Sequence, residues 1–197
     1  MATTPGTQAV LSGHVDARVV RTRRDVLAAT IDELVDCGWA GVTHARIAER
    51  AGYSKATLYA HWPDRLTLVR DAFDTFGQMP HHEPTGDLRA DLIAELTSFR
   101  AAMTEHRLDR ALAVLAERAG PVPALTEVRN AFVEDGERPM RRALEPVLSG
   151  SRLEAVTAML CGAIVHPVLL RGHSPTDEEI ITVVDTILEG LPETRRR

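Results

Sequence analysis

Residues 43–62, THARIAERAGYSKATLYAHW, constrain the fold of this chain more than any other segment. Ile47 and Ala48 give the first helix a small apolar face, and Gly52 follows Ala51, where glycine tolerates the left-handed backbone at the end of a helix. Ser54 then stands at an N-cap position, because its hydroxyl can accept hydrogen bonds from the free N–H groups of the next turn. Pro63 ends the second helix. Two short helices separated by about three residues that include a glycine predict a helix-turn-helix.

The second helix of this motif, residues 55–61, is expected to read DNA. In a helix-turn-helix the second helix enters the major groove, and its N-terminal residues reach base edges. Four of its side chains can donate hydrogen bonds to phosphates or bases, namely Lys55, Thr57, Tyr59 and His61. Leu58 and Trp62 follow the apolar spacing instead and are expected in the core. The segment therefore predicts a DNA-binding protein.

Spaced residues in and before the motif match a known pattern. They are Arg23, Val26, Leu27, Ala29, Leu34, Gly38, Thr43, Ile47, Ala48, residues 51–59 (AGYSKATLY), His61, Trp62 and Leu66. Through these residues, about a quarter of the chain resembles the TetR (tetracycline-repressor) family of bacterial regulators. The chain departs from the family pattern at His44, Tyr53 and Arg65, and the first two departures leave the operator sequence and the local packing open. Arg65 keeps the positive charge of the usual lysine.

The resemblance implies an all-α fold of about nine helices and a mode of action. An N-terminal three-helix domain with the helix-turn-helix would precede a C-terminal helical domain for ligand binding and dimerisation. The protein would act as a homodimer on a palindromic double-stranded DNA operator, because one short helix reads too few base pairs for specific binding. Repression is the family tendency. DNA contacts are expected at Arg23, Thr43, Ala45, Arg46, Ser54, Lys55, Ala56, Thr57, Tyr59, His61 and Arg65.

The chain also divides by composition and charge. We expect a flexible arm at residues 1–16, the DNA-binding domain at residues 17–62, a connecting helix starting near Pro63 at residues 63–77, and the effector-binding and dimerisation domain at residues 78–197. Nine basic and seven acidic residues give residues 1–70 a charge of +2, and fourteen basic and twenty-one acidic residues give residues 71–197 a charge of −7. The basic excess therefore lies in the part that holds the motif, as phosphate binding requires.

Apolar periodicity predicts the helices of the C-terminal part. Residues 124–148 are expected to form a helix that Gly136 and Pro139 kink or split. Residues 151–170 form a wide apolar stripe bent by Pro167, and the last helix follows a cap at Ser174. Helices this apolar need more cover than a monomer easily provides. The stripes predict a dimer interface at Leu153, Val156, Leu160, Ile164, Ile180, Val184, Ile187 and Leu191, with packing inside one chain as the alternative.

An effector pocket in the C-terminal part is implied by the resemblance. Every Trp and Tyr lies at or before Trp62, so the pocket lining is expected to be aliphatic with a few Phe residues, which suits an apolar or amphipathic small molecule. The candidate lining residues are Phe99, Met103, His106, Leu115, Phe132, Met159 and His166. Two alternatives stay open: a DNA-binding dimer without a small-molecule effector, and an all-helical enzyme. No phosphate-cradling glycine loop, paired-histidine motif or nucleophile elbow supports the enzyme.

The remaining signals predict no metal, cofactor or membrane segment. His81, His82 and Glu83 are adjacent in a loop, where they rarely converge on one ion. Cys37 and Cys161 are far apart in helical patterns and are expected to be buried small apolar residues instead of a disulfide. No apolar run approaches the roughly 20 residues of a membrane span, and the N-terminal residues lack the pattern of a signal peptide. A cytoplasmic location is expected.

Overall fold

The computed structural model describes residues 17–77, 82–120 and 122–191, and these ranges contain nine α-helices and no strand. The helices are α1 (Ala17–Gly41), α2 (His44–Ala51), α3 (Lys55–His61), α4 (Arg65–Gly77), α5 (Leu88–Glu105), α6 (Leu108–Ala119), α7 (Pro123–Leu144), α8 (Gly150–His166) and α9 (Asp177–Glu189). A π-helical turn, Pro167–Arg171, extends α8. The predicted all-α fold is confirmed. The expected arm at residues 1–16, His81 and the last six residues lie outside the described ranges.

The helix-turn-helix forms with the predicted chemistry. The Thr43 hydroxyl accepts from the Arg46 backbone N–H at 3.3 Å and caps α2, and the Ser54 hydroxyl accepts from the Thr57 N–H at 3.1 Å and caps α3. Gly52 ends α2 with φ 76°, in the left-handed region that favours glycine. Gly38 breaks α1 in a related way, with φ 63° and ψ −169°, and a last turn then carries the helix to Gly41.

Two hydrophobic clusters organise the chain. The first joins α1–α4 around Trp62 and Phe73, and it also takes in Leu115 of α6 and Leu125 of α7. The second joins α5, α7, α8 and α9 around Leu96, Met103 and other aliphatic residues. Because α6 and α7 contribute to the first cluster, α1 and α4 pack directly on the C-terminal helices, and α2 and α3 are carried on α1 and α4.

Five residues predicted at a dimer interface belong to this second cluster. They are Leu160, Ile164, Ile180, Val184 and Ile187, and none is more than 8% exposed. The prediction is wrong for these residues, because α5 and α7 already cover the inner stripes of α8 and α9. The stripes were read correctly as apolar, but the same chain buries them. Leu153, Val156 and Leu191 remain half-buried.

Three element boundaries differ from the sequence predictions. Asp64 caps α4, accepting from the Leu66 and Thr67 N–H groups at 2.8 and 2.9 Å, so the helix begins after Pro63. Thr176 caps α9 through a capping box with Glu179, and Ser174 does not. Helix α7 runs unbroken through Gly136 and Pro139, so these residues do not split it.

The cysteines and the histidine loop were predicted only in part. Cys37 is exposed, and the prediction of a buried residue is wrong for it; its Sγ lies 2.9 Å from Nη2 of Arg46. Burial raises the pKa of the Cys161 thiol to about 12, so this group stays neutral.

In the histidine loop, His82 places Nε2 3.1 Å from a carboxylate oxygen of Asp91. No cluster of three potential metal ligands occurs within residues 17–77, 82–120 and 122–191.

One helical stretch in the described ranges, Gly150–Arg171, is long and apolar enough by length and composition to cross a membrane. This differs from the sequence expectation that no such run exists. The inner side of the stretch packs in the second cluster, where Leu160 and Ile164 are fully buried. Only 28% of its most apolar window is buried, however. The outer side of α8 therefore remains an apolar surface.

Candidate nucleic-acid interface

Helix α3 is the most exposed element of the N-terminal part. Leu58 is its only buried residue, and it anchors the helix in the first cluster. Lys55, Tyr59 and His61 project away from that core. Of the eleven predicted DNA contacts, ten are exposed and Thr57 is half-buried. The chain thus presents a short polar helix, anchored by one leucine, at the position where a helix-turn-helix meets the major groove.

Tyr59 lies flat on a neighbouring imidazole. The ring centroids of His44 and Tyr59 are 4.1 Å apart, and the ring planes differ by 7°. Nε2 of His44 lies 2.8 Å from the carbonyl oxygen of Trp62, the residue that ends α3. His44 is 8% exposed and Tyr59 is 56% exposed. The imidazole therefore connects the start of α2 to the middle and the end of α3, and the phenol hydroxyl remains available on the outside.

Three predicted cationic contacts already have partners inside the chain. Arg23 forms an ion pair with Asp71 at 2.5 Å and lies 5.6 Å from the centroid of the Trp62 ring. Arg46 pairs with Glu33 at 2.9 Å. Arg65 places its guanidinium 4.2 Å from the centroid of the Trp39 ring. Each guanidinium is thus held at the surface of the motif. Arg23 and Arg46 would have to share their hydrogen bonds to reach a phosphate, whereas Arg65 is held by a ring contact.

An ion-pair network behind α2 was not found from the sequence. Glu33, 5% exposed in its side chain, accepts from Arg46 and from Arg50, and Arg50 also pairs with Asp36 at 2.8 Å. Burial alone would raise the pKa of Glu33, but the two arginines outweigh burial and lower it. No local pattern marks these residues, because each partner lies at least thirteen residues away.

Arg107 extends this network to the C-terminal part. It stands between α5 and α6, and its guanidinium pairs with Asp32 and Asp36 of α1, each at 2.8 Å. Its φ of 59° is the only positive value at a non-glycine residue in the described ranges. The hydrogen bond from Arg107, joined by that from Arg50, lowers the pKa of Asp36. Asp36 of α1 therefore accepts hydrogen bonds from Arg107, in the turn before α6, and from Arg50 of α2.

A cleft in the C-terminal part has a different position from the predicted pocket. It measures about 560 Å³ and lies between α5, the end of α8, the π-helical turn and the start of α9. Its apolar floor includes Leu96, Ile164 and Val183, and its rim includes His166 and Arg171. Of the seven predicted pocket residues only His166 lines this cleft.

The other six predicted pocket residues lie elsewhere. Met103 and Leu115 are fully enclosed in the second and first clusters, and Phe99 and Phe132 pack against the clusters. His106 is exposed at the end of α5. Met159 is 58% exposed on the outer side of α8, so its assignment to an internal pocket is wrong.

The outer side of α8 and the elements that follow it expose several apolar or small residues. Ala155, Ala158 and Met159 are exposed, and Gly162 follows at helical spacing. Leu170 of the π-helical turn is 77% exposed, and Ile181 of α9 is 37% exposed. We call these residues the α8 outer stripe. It lies opposite the residues that were predicted to form the interface.

Comparisons with known proteins agree with this arrangement. Residues 26–72 match the model of bacterial regulatory proteins of the tetR family, and residues 82–187 match the tetracyclin repressor-like C-terminal domain. The HTH-type transcriptional regulator YdeS of Bacillus subtilis is 25% identical over 185 residues, with 88% of this chain and 91% of that protein covered. The regulator Rv1556 of Mycobacterium tuberculosis is 26% identical over 180 residues, with 87% of each chain covered.

A solved structure shows the same architecture over most of the chain. The TetR family transcription regulator SCO0332 superposes with a TM-score of 0.62 at 25% identity, covering 87% of this chain and 99% of that one. These relatives are transcription regulators and not enzymes. With matches to both the DNA-binding and the C-terminal model, the chain belongs to the tetR family of bacterial transcription regulators and is a helix-turn-helix DNA-binding protein.

Proposed function

We propose that this regulator is a cytoplasmic repressor that binds a palindromic operator as a homodimer and leaves it when a small apolar or amphipathic ligand binds. The observation that carries the proposal is the exposure of α3, in which only Leu58 is buried. A helix of seven residues buries too little surface to bind DNA specifically by itself. Two copies related by a two-fold axis reach successive major grooves and require a palindrome.

The α8 outer stripe supports the homodimer. Its Met159, Leu170 and Ile181 are large apolar side chains exposed on neighbouring elements, and exposed apolar patches mark interaction surfaces. The small residues beside Met159 allow a second helix to approach closely, since the distance between packed helices depends on the side chains at the contact. Leu153, Val156 and Leu191 are half-buried against the second cluster of the same chain and are not part of this surface. We place the two-fold contact at the α8 outer stripe.

The cleft supports the small-molecule effector. Its volume of about 560 Å³ falls within the range of roughly 300–1,000 Å³ that ligand sites occupy. An apolar floor and a rim with His166 and Arg171 suit a molecule with an apolar body and one polar end. The ligand acts by favouring an arrangement in which the two reading helices no longer match the groove spacing, and it shifts the population only through that preference.

Operator symmetry is the first test. Duplexes selected by the protein from a random library should contain two inverted half-sites whose centres lie one helical turn or more apart. Fluorescence anisotropy should then show about 10³-fold tighter binding to the symmetric duplex than to one half-site. Lys55→Ala should weaken binding, and Arg118→Ala, an exposed charge change in α6, should not. Equal affinity for the full site and the half-site would refute the proposed dimeric reading.

Operator release is the second test and separates this function from a dimer without an effector. Compounds from a panel of apolar and amphipathic molecules that raise the thermal transition temperature should also release the labelled operator duplex. Thr182→Phe, which narrows the cleft, should abolish both effects. Thr186→Phe, one turn further along the same exposed face but outside the cleft lining, is the matched control. Release that survives Thr182→Phe would place the effector elsewhere, and no release by any stabilising compound would favour the dimer without an effector.

A further inference from the structure

We propose that His44 is a positioning residue for DNA binding, which holds the ring of Tyr59 in the orientation that meets the phosphate backbone. The inference rests on the DNA-binding role of α3. It concerns a residue whose side chain is 8% exposed and therefore contributes little to the protein surface itself. Its effect on DNA is exerted through its neighbour.

The geometry around Tyr59 leaves the imidazole as its support. The tyrosine is 56% exposed, so one side of its ring faces solvent. The other side meets His44, at a centroid distance of 4.1 Å and an interplanar angle of 7°. A nearly parallel contact over a full ring face restricts rotation about the side-chain bonds, which an exposed tyrosine would otherwise sample.

A hydrogen bond fixes the imidazole in turn. Nε2 of His44 lies 2.8 Å from the carbonyl oxygen of Trp62, and a carbonyl oxygen only accepts, so Nε2 carries the hydrogen. Trp62 is fully buried in the first cluster. The His44 side chain therefore connects the Tyr59 ring to the buried core of the motif.

Other aromatic residues of the motif do not replace His44 in this role. The Tyr53 hydroxyl donates to Asp25 at 3.1 Å, which holds that tyrosine against α1. The His61 ring is tilted by 56° against Trp62 at 5.5 Å. Among the ring contacts of the described residues, the stack on Tyr59 is made by His44.

Pre-organisation explains why this contact affects affinity. A side chain that is already ordered in the free protein loses less conformational entropy when it binds a phosphate. Removal of the stack leaves the Tyr59 hydroxyl in place chemically but lets the ring move. The loss should appear on every DNA sequence alike, because phosphate contacts carry no base information directly.

The test is a double-mutant cycle between the two rings, measured as operator affinity by fluorescence anisotropy. His44→Leu should weaken binding about fivefold when Tyr59 is present. The same substitution in a Tyr59→Ala background should have no further effect, because the ring that it positions is gone. His44→Phe, which preserves a stacking ring but lacks the hydrogen bond to the Trp62 carbonyl, should recover part of the affinity that His44→Leu loses. His106→Leu, the same chemical change at an exposed position of the C-terminal part, is the control.

The outcomes separate a positioning role from a structural one. Equal losses with and without Tyr59, or failure of His44→Phe to rescue, would show that His44 only stabilises the fold and would overturn the proposal. An unchanged affinity in His44→Leu would overturn it as well. If the wild-type protein does not distinguish a symmetric duplex from a half-site, the proposed function fails instead, and that result is obtained before any substitution is made.

Discussion

Two fully buried threonines show how the N-terminal and C-terminal parts of this chain differ. In α1, the Thr30 hydroxyl donates to the carbonyl of Val26 at 2.8 Å. In α8, the Thr157 hydroxyl is equally buried and has no hydrogen-bond partner, the one such side-chain atom in the described ranges. The N-terminal part satisfies its buried polar side chains within the described ranges. The C-terminal part also forms surface ion pairs, such as Arg89 with Asp185, but its core leaves the Thr157 hydroxyl without a partner, and it exposes a cleft and the α8 outer stripe.

The difference matches the tasks that we propose for the two parts. A DNA-binding domain must present its side chains at fixed positions, and hydrogen-bonded networks specify one arrangement of those side chains. A domain that changes arrangement with a ligand needs faces that can be covered in more than one way. We expect substitutions in the C-terminal part mainly to alter dimerisation. Substitutions in the N-terminal part should mainly alter the orientation of the side chains that contact DNA.

The largest expected effect comes from the α8 outer stripe. Met159→Arg places a charge in the centre of the proposed two-fold contact, where it would be buried without a partner. Sedimentation should show a monomer, and operator affinity should fall about 10³-fold, toward the affinity of non-specific binding. The thermal transition measured in dilute solution shows whether the fold survives.

Val133→Arg provides the matched control for the stripe. Val133 is 41% exposed on α7, outside the stripe, so the same arginine there should leave the dimer and its operator affinity intact. If Met159→Arg remains a dimer with unchanged affinity, the two-fold contact lies elsewhere and the proposed division of tasks loses its main support.

The threonine pair gives the next largest effect. Thr157→Val removes an unsatisfied hydroxyl while keeping the shape of the side chain, and should stabilise the protein by about 1–2 kcal/mol. Thr30→Val removes a hydrogen-bonded hydroxyl, and should destabilise by about 1 kcal/mol. Urea denaturation of both variants measures the contrast. Destabilisation by Thr157→Val would mean that this hydroxyl has a partner, such as a buried water, and that the two parts do not differ in this respect.

Predictability from sequence also differs between the two parts. Gly52 and Ser54 were assigned correctly because turn and capping chemistry acts within a few residues. The cap of α9 was missed, although Thr176 and Glu179 show the spacing of a capping box. That signal was present in the sequence and could have been used.

Long-range partners account for the remaining errors. Ile180 and Val184 form an apolar stripe, but periodicity says only that something covers it, and the cover proved to be the chain itself. His44 meets Tyr59 fifteen positions away and Trp62 eighteen positions away, across a turn between two helices. Such contacts depend on how helices are placed, which no local pattern encodes.

A smaller effect is expected at Arg107, where the two parts join. At its φ of 59°, glycine avoids the steric cost that a Cβ imposes. Arg107→Gly and Arg107→Ala both lose the ion pairs, but the glycine variant should be more stable than the alanine variant by about 1 kcal/mol. Chemical denaturation measures the order of stability. The opposite order would indicate that the turn rearranges once the ion pairs with Asp32 and Asp36 are gone.

The smallest effect is a pH dependence at the same joint. The pKa of Asp36 is lowered, first by the hydrogen bond from Arg107, so its contribution to stability is complete above its ordinary value of 3.8 and is lost as the pH falls further, through the folded-state pKa. Asp36→Asn should therefore show a shallower loss of unfolding free energy than wild type below about pH 4. Glu105→Gln, a change at an exposed carboxyl group ending α5, should follow the wild-type curve. Parallel curves for wild type and Asp36→Asn would mean that Asp36 is not held by Arg107 and Arg50 in solution, and Asp32 would then be the remaining partner of Arg107 on α1.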